Sequence, residues 1–314
     1  MALRQDEAEL KEFRVNCERE KPCCVRSACT LITPHLMKAI LATTDFSGSS
    51  LNAVNYAAKL ALDTNSKLIL LHATHIPVVS DSFFDMGFTL EELEKTDKEQ
   101  MEILNEKLRK KYGPDLKLEK QVKIGFAGEL IQGLVSEGKV ALVVMGMGHM
   151  DKFSEVVFGS TTTSVAGNVS CPVLIVPEKT TYRPLKRIGL AFDQKQIPTG
   201  TGLRVIKELR DHFSAEMHYV NVMDNPYVGK DDSNLKPVYK VFGEKEPKLH
   251  FLNAVPNQTV DVIQDWSKRY KMSAMVVVSR ERSIFWRMFN ERTTKKMAFS
   301  TRVPLFVVSE TKKH

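Results

Sequence analysis

Two segments of the chain begin in the same way, and this internal repeat restricts the folds that the chain can adopt. Lys38–Asp45 and Lys186–Asp193 each place a basic residue, a short apolar run and an aspartate within eight residues. In each half a segment with helical period and then a second apolar run follow: Ser49–Asp63 with Lys67–Ala73, and Thr199–His212 with Glu216–Val222. Strand, helix and strand in this order predict a βαβ unit, because parallel strands need a helical crossover.

The two halves also end alike. Ala141–Met145 and Ala274–Val278 are short runs rich in β-branched or other apolar residues, and each half closes on an apolar run opened by a proline, Pro172–Val176 and Pro304–Val308. Continuous apolar runs of this length suit strands that are buried on both faces of a parallel sheet. The sequence therefore predicts an α/β fold with two tandem Rossmann-like domains, each an open five-stranded, mostly parallel sheet.

The middle parts of the two halves differ and help to set the predicted domain boundaries. The first half has a helical segment towards Lys111, opened by the capping-box residues Thr89 and Glu92, whereas Asn225–Pro247 is polar and predicts a long loop. The predicted organisation is an N-terminal extension at 1–36, a first domain at 37–178, a linker at 179–184, a second domain at 185–310 and a basic tail at 311–314.

Composition fits two ordinary cores in a cytoplasmic protein. The 314 residues are 43% hydrophobic, and no apolar stretch reaches the length of about 20 residues that spans a membrane. Four of the five cysteines lie in the first 30 residues, which does not resemble a disulfide framework. A zinc site from these four (Cys17, Cys23, Cys24, Cys29) and His35 would lack the usual paired ligand turns, so we expect no metal site in the protein itself.

Most of the net charge of +7 comes from the C-terminal segment. Between Arg280 and His314 there are nine Lys or Arg residues and three acidic residues. Such a cluster can attract phosphates or nucleic acid, but a solvated basic face is its commoner role. We therefore do not expect a nucleic-acid partner.

The residues with binding chemistry fall at predicted strand ends. Ligands of open parallel sheets bind beyond the carboxyl ends of the strands, where the strand order reverses. Asp45 follows the first strand and Gly146 ends the fourth, and a helix then opens at Gly159-Ser160-Thr161-Thr162. Glycines and free amides at a helix start can hold anionic oxygens, so the pattern predicts a phosphate site without a P-loop lysine.

With these motifs, the segment from Met37 to about Glu310 resembles the universal stress protein family. Nucleotide-binding members carry a glycine, two residues, a second glycine, nine residues, a third glycine and then Ser or Thr. Gly146, Gly159 and Ser160 match the first, third and fourth of these, while His149 stands in the place of the second glycine and Gly148 comes one residue early. The resemblance implies an adenine nucleotide alpha hydrolase-like fold.

The resemblance also implies a ligand, ATP or a related adenine nucleotide, which can carry Mg or Mn on its phosphates. Thr43, Thr44 and Asp45 would meet the adenosine, and Ala73 would face the base. His149 could donate to a phosphate, close the space that a glycine leaves open, or point to solvent. The residues implied to hold ribose and phosphates are Gly146, Gly148, Gly159, Ser160 and Thr161, with His149 beside them.

The second half keeps the scaffold but lacks this glycine pattern. Its fourth strand leads into Ser279–Arg282, and Asn290-Glu291 occupies the place of the glycine and serine. A carboxylate repels phosphate, so despite Asp193 we expect no cofactor here. The predicted role of this half is to pair with the first as an intramolecular pseudo-dimer, and the family resemblance also implies a homodimer.

The chain shows no Ser/His/Asp set, metal-binding histidine pair or P-loop, so we expect no catalytic residues. The favoured interpretation is a nucleotide-binding stress sensor or adaptor. Two alternatives stay open: a slow ATP hydrolase, to which His75 could contribute, and an interaction module without nucleotide. The latter would use Phe83, Phe84 and Phe88 or the basic C-terminus.

Overall fold

The computed structural model describes residues 38–74, 90–147, 149–150, 155–156, 160–192, 201–223, 236–253, 259–279 and 303–309. All of them belong to one of the two compact units of the chain, residues 35–314. The predicted extension at 1–36, the basic tail at 311–314 and the Phe83, Phe84 and Phe88 segment lie outside the described residues.

The first half follows the predicted strand and helix alternation closely. Its first helix begins after Ser47, whose side chain caps the backbone N–H of Ser50. Four elements that the sequence analysis did not place complete the half: a third strand, the helix after it and two strands of two residues each. The elements are β1 (Ala39–Thr43), α1 (Gly48–Asp63), β2 (Lys67–Thr74), α2 (Leu90–Tyr112), β3 (Leu118–Ile124), α3 (Ala127–Ser136), β4 (Leu142–Gly146), the two-residue strands β5 (His149–Met150) and β6 (Glu155–Val156), α4 (Ser160–Asn168) and β7 (Val173–Val176).

The described residues of the second half repeat the alternation of strands and helices up to the fourth strand and end on a fifth strand. The prediction of an uninterrupted loop at 225–247 is wrong, because a short helix lies within it and buries Val238 and Phe242. The apolar spacing of Val238, Tyr239 and Phe242 is that of one helix face. The elements are β8 (Arg187–Phe192), α5 (Thr201–Phe213), β9 (Glu216–Met223), α6 (Lys236–Phe242), β10 (Lys248–Asn253), α7 (Thr259–Arg269), β11 (Ala274–Ser279) and β12 (Leu305–Ser309).

Ten of these strands form a single sheet in the order β10-β9-β8-β11-β12-β7-β4-β1-β2-β3. Within this sheet the strands of each half are parallel to one another, which confirms the predicted fold class, while β5 and β6 form a separate antiparallel pair. The halves meet where β7 pairs with β12 in antiparallel fashion, with Leu174 opposite Phe306 and Val173 opposite Val307. The strands of the second half therefore run opposite to those of the first.

The core lies on both faces of this sheet. On β1, Ile40 and Leu41 point to opposite faces and are both fully buried, each in a different apolar cluster. β7 and β12 are buried along their whole length, whereas the side chains of the edge strand β3 are either partly buried or exposed. Central burial on two faces and a mixed edge are typical of doubly wound sheets.

Candidate functional site

A cleft of about 590 Å³ opens at the carboxyl ends of β1, β2 and β4. β1 lies between β2 and β4 in the sheet, so the strand order reverses at this point. Ligands of open α/β sheets bind at such a reversal. The structure brings together six of the residues named from the sequence on the cleft wall: Thr43, Thr44, Asp45, Ala73, Gly146 and Thr161.

Thr44 is buried and joins the end of β1 to the start of α1. Its hydroxyl lies 3.1 Å from the Oγ of Ser50 and accepts a hydrogen bond from the backbone N–H of Phe46 at 2.9 Å. Its own backbone N–H donates to the carbonyl of Leu71 in the neighbouring strand. Thr44 therefore shapes the cleft wall from within, and its side chain is already hydrogen-bonded.

Asp45 is exposed at the mouth of the cleft and is held by the residue that caps α1. Its Oδ1 accepts hydrogen bonds from the backbone N–H of Ser47 at 3.0 Å and from the Ser47 hydroxyl at 2.5 Å. Partial burial acts to raise the pKa of Asp45, but hydrogen bonds from Ser47, Ser50 and the backbone outweigh it, and the net pKa is lowered. A fixed, ionised carboxylate can accept hydrogen bonds from ligand hydroxyl groups.

Gly146 ends β4 in very close contact with the first turn of α1. A Cβ at this position would lie 2.6 Å from the carbonyl oxygen of Ser49 and 2.9 Å from the backbone nitrogen of Ser50. Only glycine lets the strand and the helix approach this closely. The glycine is therefore required by packing as well as by any approach of a ligand.

Two helices begin beside the cleft. Ser49 and Ser50 belong to the first turn of α1, and Thr161 and Thr162 to the first turn of α4. The amides of a first turn lack intrahelical acceptors and carry the positive end of the helix dipole. This arrangement favours an anionic group in the cleft, with hydroxyl side chains available around it.

Several lining residues were missed by the sequence analysis. Gly125, Phe126 and Ala127 follow β3 and form one side of the cleft, and Phe126 is 58% exposed although it is aromatic. Gly125 has a φ of 137°, which turns the chain from strand to helix in a conformation that favours glycine. The sequence signal that could have revealed this side of the cleft is the glycine directly after a segment of mixed apolar and polar residues. The others are Ser49, Ser50, Leu71 and Met145, while Thr162 is predicted at the helix start but not among the ligand contacts.

Part of the predicted site lies outside the described residues. This applies to Gly148 and Gly159, and to the side chains of His149 and Ser160, whose backbones belong to β5 and to the start of α4. The three interpretations of His149 therefore stay open. His75 and Asp193 are likewise outside the described residues.

His72 lies next to the cleft but points into the protein. Its Nδ1 is 2.8 Å from the carbonyl oxygen of Thr44, and its Nε2 is 3.1 Å from Oδ2 of Asp97 on α2. Thr74 donates to the same carboxylate oxygen at 2.6 Å, and the Phe46 ring stacks on the imidazole. The histidine thus ties β1 to α2, a structural role.

A second pair of histidines lies in the other half. Nδ1 of His218 is 3.1 Å from Nε2 of His250, and Nε2 of His218 is 3.3 Å from Oε2 of Glu216. Both rings pack against Trp266 and Tyr270. Burial lowers the pKa of each, so the pair favours the neutral form.

Within the described part of the chain, no group of three or more His, Cys, Asp or Glu residues is arranged to hold a metal ion. The same residues include no helix with the length and apolar character needed to cross a membrane.

Comparison with known proteins gives one family and several similar folds. The model of the universal stress protein family matches residues 37–177. A universal stress protein from Archaeoglobus fulgidus DSM 4304 is similar at 16% identity and a TM-score of 0.64, covering 87% of this chain and 99% of that one. A functionally unknown protein from Pseudomonas aeruginosa is similar at 14% identity and a TM-score of 0.52, covering 87% of this chain and 92% of that one.

A universal stress protein solved in complex with cAMP is 25% identical over 45% of this chain and 97% of its own, with a TM-score of 0.35. No curated protein sequence matches the chain. The structural likeness over both halves concerns the fold.

Proposed function

Because residues 37–177 form a domain of the universal stress protein family, we propose that this domain binds ATP or a related adenine nucleotide. The site is the cleft at the carboxyl ends of β1, β2 and β4. Through this binding the chain acts as a sensor or adaptor in a stress response. The proposal places the protein in the cytoplasm, where adenine nucleotides are abundant and thiols such as Cys171 stay reduced.

The observation that carries the proposal is the meeting of two helix starts at the reversal of strand order. The first turns of α1 and α4 both line the cleft, and Gly146 brings the end of β4 against the first of them. Amides and hydroxyls at two helix starts suit the several charges of a phosphate chain better than a single anion. The volume of about 590 Å³ is within the usual range for small-molecule sites.

The other lining residues suit a nucleoside. The Asp45 carboxylate would accept from ribose hydroxyls, and Thr43 and Ala73 would contact the adenosine. Gly146, Gly148, Gly159, Ser160 and Thr161 would hold the phosphates, with His149 nearby. Mg or Mn would be bound mainly by the phosphates, since Asp45 is the single carboxylate among the residues described as lining the cleft.

We propose binding rather than turnover as the main activity. The Asp45 carboxylate is engaged by Ser47 and is ionised. Its lowered pKa makes it a weak general base, because a base works best with a pKa near the ambient pH. Slow hydrolysis by water held near the phosphates is compatible with this cleft.

Mass spectrometry of small molecules released from the purified, denatured protein tests the proposal, together with calorimetric titration by ATP, ADP and cAMP. We expect a stoichiometric adenine nucleotide that is lost in Gly159→Asp, which places a carboxylate among the phosphates. Asp115→Asn is a control on an exposed turn of the same domain. Full binding in Gly159→Asp, or equal loss in both variants, would contradict the proposed site.

We further propose that the second half is a structural partner without a nucleotide, so that one chain is an intramolecular pseudo-dimer. The antiparallel pairing of β7 with β12 supports this arrangement. A homodimer of the whole chain would then use other surfaces. Light scattering over a range of concentrations measures the oligomeric state, and a titration that finds two equivalent ATP sites per chain would contradict the division of roles.

A further inference from the structure

A second cleft, of about 970 Å³, lies where the strands of the second half begin. It is lined by the chain before β8, the turn before β11 and the start of β12. We call it the basic cleft, because one carboxylate, Glu216, and five cationic residues are among its lining residues: Lys179, Arg183, Lys186, Arg187 and Lys271. Val303, Pro304 and Met272 give it an apolar part.

The charges of the basic cleft are unbalanced. Glu216 is already engaged, since its carboxylate lies 2.8 Å from Nζ of Lys248 and 3.3 Å from Nε of Arg187. The other four cations are exposed, and none of them forms an ion pair with a residue that the structure describes. An anion entering the cleft would therefore meet cations that have no competing carboxylate among those residues.

The backbone that carries these cations is held in place from both sides. The Ser273 hydroxyl accepts hydrogen bonds from the backbone N–H groups of Lys186 at 3.0 Å and Arg187 at 3.4 Å. The side-chain amide of Asn52 donates to the carbonyls of Pro177 and Thr180, both at 3.0 Å. A fixed frame reduces the entropy that is lost when a ligand binds.

A cleft at the opposite edge of the sheet shows that lysines alone do not produce this imbalance. It is lined by four lysines, among them Lys67 and Lys139, and has a volume of about 730 Å³. There Lys67 pairs with Glu119, and Lys139 pairs with Glu137 at 2.7 Å. Two of its four lysines are therefore paired with carboxylates, whereas in the basic cleft one of the five cations, Arg187, is paired among the described residues.

The position of the basic cleft follows from the sheet topology. Since β7 and β12 are antiparallel, the second half begins its strands at the edge where the first half ends them. The basic cleft and the cleft beside Asp45 therefore open at the same edge of the ten-stranded sheet. The basic cleft is lined by the second half, the linker and one residue of the first half, Tyr56, and it shares no lining residue with the other cleft.

We propose that the basic cleft binds a small phosphate-rich anion, such as a compound with a chain of two or three phosphates. Its volume is that of a small-molecule site, and its cations surround a concave space instead of forming the extended stripe that nucleic acid requires. Lysines and arginines on several chain segments can contact different phosphates of one ligand. This inference concerns a different site from the proposed nucleotide cleft and does not depend on it.

The test is calorimetric titration of the full chain with inorganic tripolyphosphate at constant ionic strength. In the double variant Lys186→Ala, Lys271→Ala we expect the affinity to fall about tenfold or more, because two charge-assisted contacts are lost. The control Lys123→Ala, Lys139→Ala removes the same charge from the cleft at the opposite edge and should bind as the wild type does. In a Gly159→Asp background the tripolyphosphate site should persist even where ATP binding is lost, so the two proposals can fail separately.

A second pair, Lys179→Ala and Arg183→Ala, repeats the measurement on the linker side, and urea unfolding checks that each variant folds. Absence of tripolyphosphate binding in the wild type would overturn the proposal. Equal loss in the control variant would also overturn it, because that result means general attraction to a basic protein. Tighter binding of a duplex oligonucleotide or an acidic peptide, with the same dependence on Lys186 and Lys271, would assign the cleft to a macromolecule instead.

Discussion

Replacing Gly146 by alanine tests the packing on which the candidate nucleotide cleft rests. The new Cβ would lie 2.6 Å from the carbonyl oxygen of Ser49, 2.7 Å from its carbonyl carbon and 2.9 Å from the nitrogen of Ser50. These are backbone atoms, so either α1 or the end of β4 must move. Overpacking of this kind costs about 1–3 kcal/mol, and we expect the free energy of unfolding to fall by about 2 kcal/mol.

The same movement would displace the Ser50 hydroxyl from Thr44 and shift the helix start that faces the ligand. If the displaced cleft wall weakens the binding free energy of ATP by about 1.4 kcal/mol, the Kd for ATP rises about tenfold. Urea unfolding followed by circular dichroism measures the first effect, and calorimetric titration measures the second.

A matched glycine provides the control. Gly133 lies inside α3, and a Cβ there would meet no heavy atom within 4 Å. Gly133→Ala should therefore leave ATP binding unchanged and stabilise the protein by up to about 1 kcal/mol, through helix propensity. If Gly146→Ala unfolds at the same urea concentration as the wild type, with the same slope, the close contact does not constrain the cleft and the reasoning is refuted.

Three further predictions follow from individual side chains. Because burial lowers the pKa of His218 and of His250, the unfolded chain binds more protons than the folded one below about pH 6.5. Stability should therefore fall as the pH drops from 7 to 5, and the slope of unfolding free energy against pH should flatten in the variant with both histidines changed to glutamine. Phe126→Ala should weaken ATP binding about tenfold, because it removes an exposed ring at the cleft rim on which we expect the adenine base to stack. Its effect on tripolyphosphate should be small, and equal effects on both ligands would argue against this stacking. Tyr182→Phe removes the 2.5 Å hydrogen bond to Asp63 and should lower the free energy of unfolding by about 1 kcal/mol, measured in urea; an unchanged value would mean that water replaces the contact.

Much of the fold could be predicted from the sequence because the central strands are buried on both faces. Runs such as Ala39–Thr43 and Leu305–Ser309 are continuous and apolar, so their strand character does not depend on their neighbours. Leu118–Ile124 was missed because an edge strand carries Glu, Lys and Gln among its apolar residues. The helix within 225–247 was missed for a related reason, since a helix of only seven residues in a polar segment gives a weak periodic signal.

The candidate site was predictable where strand ends carry distinctive residues. Asp45 follows β1 and Gly146 ends the adjacent strand β4, and the rule for open sheets places such residues together. Phe126 and Ala127 could not be placed, because their position depends on β3, which the sequence pattern did not reveal. The interior role of the Thr44 hydroxyl depends on Ser50, a contact that follows from how α1 packs rather than from any motif.

The junction between β7 and β12 has a consequence for how the protein responds to dilution. An interface between separate subunits weakens as their concentration falls, because dissociation releases two independent molecules. Here both strands belong to one chain, and the short connection from Val176 to Arg187 keeps each half at a high effective concentration next to the other. The continuous sheet is thus maintained whether the cell makes few copies of the protein or many.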